Sequence, residues 1–331
     1  MLASTLKTKE SEIALTQDVI NCPACSRRTP AARGACMYCG ASLPVVEIHS
    51  APHQRNIEPH ELAFNTILLP SDWSDDASAA MAVALAMESD QARAYLAANK
   101  PLPVARSQTR QEAEMISLLI RNCGLGAMVV ADEDLKLETP LARARRITRA
   151  DDTLEIHLIS DAIVVAASEI KLLVVGALRS VRIDYTEVIA RGNARKEGVL
   201  DTSEFISEET LLDVYAETME QSFRIKADAF DYSSFVEKLS FRAEENFQAV
   251  IKGLCEAAPQ ARMDGEFARV SSLLSRAWPE RSHTEAHGIK RTGASYRPVA
   301  KSSVMSDNRD QFERYSRLMF LNEKLSGFRA R

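Results

Sequence analysis

Four cysteines in the first forty residues constrain this chain more than anything else in it. They stand as Cys22-Pro23-Ala24-Cys25 and, ten residues on, Cys36-Met37-Tyr38-Cys39-Gly40. A Cys-x-x-Cys turn aims both sulfurs at one point. Two such turns supply four soft ligands to a tetrahedral ion, with bonds of about 2.3 Å. Pro23 fixes φ beside the first ligand, and Gly40 permits a positive φ after the last. Iron takes the same ligands, and two disulfides would use the same residues. A net charge of −5 and a charged N-terminal segment, with no apolar signal stretch, favour a reducing cytoplasm, where disulfides are rare. The expected cofactor is one structural Zn2+ on Cys22, Cys25, Cys36 and Cys39. Four filled positions leave no place for a reacting water, so the expected role is structural.

The two turns resemble the knuckles of zinc ribbons, CPxC first and CxYCG second, over residues 20–44. Ser26 departs from the commonest form, which has Gly after the second cysteine of a knuckle. A ribbon this short cannot bury a core, so metal binding supplies most of its folding free energy. Residues 1–19 read as a leader. Residues 45–62, with Pro52, Pro59 and three histidines, read as a linker. His49 and His53 lie there, but the ribbon already has its four ligands. The charged residues between Val19 and Val46 are Arg27, Arg28 and Arg33, with no acid among them. Such a face suits nucleic-acid phosphates, and equally suits plain solvation.

The rest of the 331 residues has room for further domains, with 46 % apolar residues to fill their cores. No apolar run reaches the 18 residues of a membrane span. Residues 63–135 begin with a strand, Phe64 to Leu69, that Pro70 ends. Ser74 caps a helix reaching Met87, and Ser89 caps a second carrying Ala92, Tyr95 and Leu96. Leu102 to Ala105 is a short strand. Thr109 and Glu112 form a capping box for a third helix, which Gly124 closes, and Ala127 to Val130 is the last strand. This order, with Ser89, Gln91, Ala92, Arg93 and Leu96 and the run Glu112-Ala113-Glu114, resembles the C-terminal domain of the ribosomal stalk protein. It is equally similar to the adaptor of the bacterial Clp protease. Both families bind other proteins and catalyse nothing, so the resemblance implies a protein partner. The stalk family's lysines are missing, since residues 72–90 hold five acids and no Lys or Arg. In the neighbourhoods of the adaptor's Asn-Asp-Asp run and histidine stand Pro70-Ser71-Asp72 and Asn99-Lys100.

Residues 141–280 read as β-rich, with strands at 144–149, 154–159, 163–167, 171–178, 181–189, 211–216 and 223–227. The polar stretch 191–208 reads as a loop. A helix follows, its apolar stripe made by Phe247, Val250, Ile251, Leu254 and Cys255. Seven strands and a helix are similar to the pleckstrin-homology-like barrel, which binds peptides or lipids or serves as a scaffold. Asp264 caps a further helix carrying Phe267, Val270, Leu273, Leu274 and Ala277. Residues 281–331 read as a basic tail, with ten Lys or Arg against five acids between 282 and 331. Phe312, Tyr315, Leu318, Met319 and Phe320 give it an amphipathic terminal helix, with docking back on the body, a partner's groove and an acidic surface as its three candidate seats and the first slightly favoured.

The expected fold class is therefore α+β and multidomain. An N-terminal zinc ribbon comes first, then a small α/β sandwich in the order strand-helix-helix-strand-helix-strand. A seven-strand barrel or sheet with C-terminal helices follows. No phosphate-binding or nucleophile-elbow motif occurs. His283 and His287 have a metal-ligand spacing without the zincin order, and read as loop. Asp72, Asp75 and Asp76 are better explained by helix capping than by Mg2+. The expectation is a cytoplasmic, non-enzymatic adaptor or assembly factor acting on other proteins. One alternative is nucleic-acid or ribosome association through Arg27, Arg28, Arg33 and the basic tail. Another is an enzyme with a site formed between domains.

Overall fold

A computed structural model describes residues 19–30, 36, 38–41, 57, 61–189, 196–236, 239–292 and 297–329. The leader up to residue 18, Arg33, residues 191–195 and most of the linker, with His49 and His53, lie outside the described residues. The chain divides into two compact units, Met1–His49 and Ser50–Arg331. In the first, β1 (Val19–Asn21) and β2 (Arg28–Pro30) pair antiparallel on either side of the first cysteine turn.

The second unit opens with β3 (Phe64–Leu68), α1 (Asp75–Ala84), α2 (Ser89–Ala97), β4 (Leu102–Ser107), α3 (Arg110–Asn122) and β5 (Ala127–Ala131). This is the expected order. The strands form an antiparallel sheet, β4-β3-β5. The Ser74 hydroxyl accepts from the Ala77 amide at the start of α1, which stops at Ala84, short of Met87. Glu88 precedes α2 as its cap without a side-chain bond, and Ser89 is already helical. The Thr109–Glu112 capping box forms in full.

The remaining elements are β6 (Ala142–Ala144), β7 (Arg146–Ala150), β8 (Thr153–His157), β9 (Ala162–Ala166), β10 (Leu172–Ile189), β11 (Lys196–Tyr215) and β12 (Phe223–Lys226). After them come α4 (Ala243–Ala257), β13 (Arg262–Asp264), α5 (Phe267–Leu274), β14 (Arg281–Thr292), β15 (Arg297–Asp307) and α6 (Arg309–Arg329). Seven strands do share one sheet, in the order β14-β15-β10-β11-β12-β6, with β13 also pairing β10. Its membership differs from the expected set, because β7, β8 and β9 form a sheet of their own.

Three expectations are corrected here. β10 runs unbroken for 18 residues where two strands were expected, and β11 already begins at Lys196 inside the expected polar loop. The first half of the expected tail is the β14–β15 hairpin, so His283 and His287 lie on a strand. The cause is plainest for β11. Residues 201–208 are exposed throughout, so no buried face imposes an apolar alternation on them. Backbone pairing from Leu172↔Tyr215 to Thr186↔Asp201 carries the strand instead.

Where the sheet is covered, alternation sorts β10 and β11 between two cores. Leu172, Val174, Leu178, Leu211 and Tyr215 belong to the core shared with the small sandwich, α5 and α6. Leu173, Leu212 and Val214 belong to the one shared with β7, β8, β9 and α4. The roots of β10 and β11 thus form a layer between two others.

The helix α6 fastens these layers. Phe312, Tyr315, Leu318 and Met319 are fully buried, so the expected docking is observed. Three consecutive residues of α6 reach three buried carboxylates. Arg314 Nη1 donates to Asp132 Oδ1 at 2.6 Å, Tyr315 Oη to Asp264 Oδ1 at 2.7 Å, and Ser316 Oγ to Asp213 Oδ2 at 2.6 Å. Asp132 also accepts from Arg106 at 2.6 Å and Asn65 at 2.8 Å, and Asn65 in turn accepts from the Trp278 indole. Arg224 grips Asp213 through Nε and Nη2, at 2.6 and 2.9 Å. Burial alone would raise the Asp132 carboxyl. The Arg314 charge, the Asn65 hydrogen bond and Arg106 outweigh burial and hold it below its ordinary value.

The Phe312 ring lies against Gly176 of β10, where a Cβ would sit 2.6 Å from ring atoms Cδ2 and Cζ. Gly176→Ala is expected to cost about 1–3 kcal/mol by overpacking, and clearly less in a Phe312→Ala background. Paired urea midpoints of the single and double variants measure both. Asp132→Asn leaves Arg106 and Arg314 without their acid, with an expected loss of about 3–5 kcal/mol at neutral pH. A lowered carboxyl contributes stability above its unfolded value of about 4 and loses it as pH falls through the folded value. The variant's acid unfolding limb is therefore flatter than that of the parent.

Candidate metal centre

The two cysteine turns fold alike. In the first, the Cys22 amide donates to Arg27 O at 3.0 Å and the Ser26 amide to Cys22 O at 2.8 Å. In the second, Cys36 donates to Ala41 O at 2.8 Å and Gly40 to Cys36 O at 2.9 Å. Ser26 and Gly40 occupy equivalent places and both take positive φ, 58° and 71°. Gly40 does so freely. Ser26 does so against its own Cβ, at a cost of about 1–2 kcal/mol. The departure at Ser26 therefore strains the turn without removing a ligand.

All four Sγ atoms lie within 4.8 Å of one another. Cys22 and Cys39 are 3.6 Å apart, and Cys25 and Cys36 are 3.7 Å apart. Disulfide sulfurs would sit at about 2.05 Å. Four sulfurs about 2.3 Å from a central ion stand about 3.8 Å apart along the tetrahedron's edges. The donor set and its spacing fit a metal ion. Cys22 and Cys36, the first ligand of each turn, are buried, while Cys39 is exposed.

The electrostatics follow the backbone. The Tyr38 amide points at Cys36 Sγ at 3.4 Å. That bond is the main reason the Cys36 thiol is lowered to about 6 against the effect of burial. Cys39 gains a stabilising bond from Ala41, yet the neighbouring sulfurs and burial push it up to about 12. One thiolate thus opposes the next, and a cation at the centre relieves this by displacing the protons. The Arg27 guanidinium lies over the Tyr38 ring, 5.2 Å from its centroid, and ties the two turns together. Arg28 lies in β2, and Arg33 lies outside the described residues.

Among the described residues these cysteines are the one converging group of three or more His, Cys, Asp or Glu ligands. His287 Nε2 meets the Ser303 hydroxyl at 2.6 Å, and that hydroxyl donates to Asp184 at 2.6 Å. This chain joins three strands and passed unseen in the sequence, because only the β14–β15–β10 register brings the residues together.

Three cations of the basic tail are engaged within the body: Arg309 pairs with Glu209, Arg314 with Asp132, and Arg317 donates to Thr139 O. No family model, curated protein or solved structure matches the chain.

Ser26→Gly relieves the left-handed strain in the folded turn. It is expected to tighten metal binding about five-fold, roughly 1 kcal/mol. Chelator competition against the parent measures the change.

Proposed function

We propose that the protein is a non-enzymatic adaptor or assembly factor for other proteins, with its N-terminal knuckles held by one structural zinc ion. The observation that carries this is the spacing of the four sulfurs, which is compatible with a four-thiolate shell supplied by protein alone. Zinc suits such a shell because it has no redox chemistry and no geometric preference against the tetrahedron. A closed shell supplies folding free energy and leaves no position for substrate.

The order β3-α1-α2-β4-α3-β5 supports the protein-binding part of the reading, through its resemblance to the stalk and Clp-adaptor domains. The strongly perturbed groups of the body point the same way. Burial raises Tyr215 and Tyr315, and carboxylate partners raise Arg224 despite its burial. Each of these groups makes a bond between α6 and the sheet, Tyr215 with Ser316, Tyr315 with Asp264 and Arg224 with Glu313, as a structural fastener does.

Elemental analysis of the purified full chain is expected to find one zinc per chain. Cys36→Ser with Cys39→Ser should abolish it and leave the unfolding of the body unchanged. Crosslinking in the native cell should capture protein partners that the double variant loses. A chain free of metal, or capture unaffected by the cysteine variant, overturns the reading.

A further inference from the structure

A strand at the edge of a sheet leaves amides and carbonyls without a ladder partner, and native chains close such edges in several ways. Most edges of the body are closed. β4 is buried along its whole length. On β5, Asp134 accepts from the Ala131 amide and Arg121 donates to Ala127 O. On β9, the Glu169 carboxylate accepts from the Ala166 amide. β7 is met by Asp231 and by the Ser234 hydroxyl. β6 is three residues long. The distal part of β11 has no outer neighbour, because β12 pairs only with Leu211 to Val214. Asp201, Glu204 and Glu208 stand exposed along it, and residues 201–209 include no cation. Like charges keep a second such strand away.

β14 is the exception. It ends the other side of the seven-strand sheet, runs for 12 residues and pairs with β15 alone. Arg281 to His287 are all exposed, and among the described residues no side chain closes their outer edge. Alternation puts Arg281, His283 and Glu285 on one face. Arg281 and Glu285 carry opposite charges four residues apart, about 13 Å along a strand, so they do not meet within one copy. Opposite Arg281 on β15 stands Asp307, whose Oδ1 accepts from the Arg309 amide, and opposite Glu285 stands Ser303. Neither Arg281 nor Glu285 has an ion-pair partner among the described residues.

We infer that a second copy of this chain pairs with β14, antiparallel about a two-fold axis at His283, so that two seven-strand sheets join edge to edge. Each Arg281 then stands opposite the partner's Glu285, and the charges that one copy cannot bring together meet twice. On the other face Ser282 stands opposite the partner's Thr284, a pair of hydroxyls that can share a hydrogen bond. Neighbouring registers fit less well. An axis at Glu285 sets that carboxylate against itself, and one at Thr284 sets Arg281 against the partner's His287, a like charge whenever that ring is protonated. A foreign strand suits the edge only if it carries the charge order that a second copy has by symmetry. The same edge is used on both copies, so assembly stops at two. Pairing along one edge buries less than the roughly 1,200–2,000 Å² of a standard interface, so the dimer is a weak one. The inference is independent of the zinc ion and of any other protein partner.

The test is sedimentation equilibrium of the full, metal-loaded chain from micromolar to millimolar concentration. The parent should show a monomer–dimer equilibrium and no larger species. Arg281→Glu and Glu285→Arg, each alone, should weaken dimerisation about ten-fold, because each sets like charges opposite each other at two places. The two changes together restore opposite charges and should return the dimer to within about two-fold of the parent. Lys252→Glu, on the exposed side of α4, should dimerise as the parent does. Unchanged thermal unfolding shows that each variant is folded. The inference is overturned if the parent stays monomeric throughout, if either single variant dimerises as tightly as the parent, or if the double variant does not recover. Species beyond the dimer, as a contact between β14 and the partner's β11 would build, also overturn it. So does a dimer that a chelator dissolves, which would place the contact on the knuckles.

Discussion

Three carboxylates that no water reaches decide how the body of this protein is put together. Asp132 follows β5, Asp213 lies on β11 and Asp264 ends β13, and all three are buried. An ion in such a place is costly unless its lone pairs are met. They are met by Arg314, Tyr315 and Ser316, adjacent residues of one helix. Successive helical residues point about 100° apart, so one turn of α6 can serve three directions at once. The result is specificity of arrangement more than net stability. Apolar residues of similar volume can replace such pairs without loss of stability, but they do not fix one layer's position on the next.

The parts of this fold that were legible in the sequence have local causes. Pro70 ends β3, Thr109 and Glu112 cap α3 reciprocally, and the apolar stripe of α4 repeats at helical spacing. The cysteines were legible because ligand spacing is itself a local property. The docking of α6 could be read from its aromatic residues, which demand cover. What stayed hidden depends on partners far along the chain. Composition counts Arg314 as a surface cation, and only Asp132, 182 residues earlier, makes it an interior one. β11 was hidden for a different reason. A strand exposed on both faces has no apolar alternation to betray it, and Thr202, Ser203 and Glu204 read as loop. The seven-strand expectation found segments of β7 to β12 but neither the β14–β15 hairpin nor the division into sheets. The parallel pairing of β6 with β12 spans about eighty residues and leaves no mark on either segment.

The two units solve the problem of cohesion in opposite ways. The body has two apolar cores and uses charge to fix their relation. Among the described residues, the core of the knuckles is Cys22 and Cys36 with Cys25 and Ala41 packed on them. A cation on the four thiolates would supply cohesion there, reinforced by amides such as that of Tyr38. Ser26 takes a left-handed backbone that Gly40, in the equivalent place of the second turn, adopts without strain.

The reach of α6 has a kinetic side. Its three polar contacts close loops of 51, 103 and 182 residues, so each must overcome the entropy of joining distant segments before it returns any free energy. Folds dominated by such separations assemble slowly. The small sandwich, built from neighbours in sequence, is free to form early, with Asp132 still hydrated at its rim. Until α6 arrives, the apolar faces of β10 and β11 have no lid on one side. In the finished fold α6 is part of the cover without which those layers would present apolar surface to other chains.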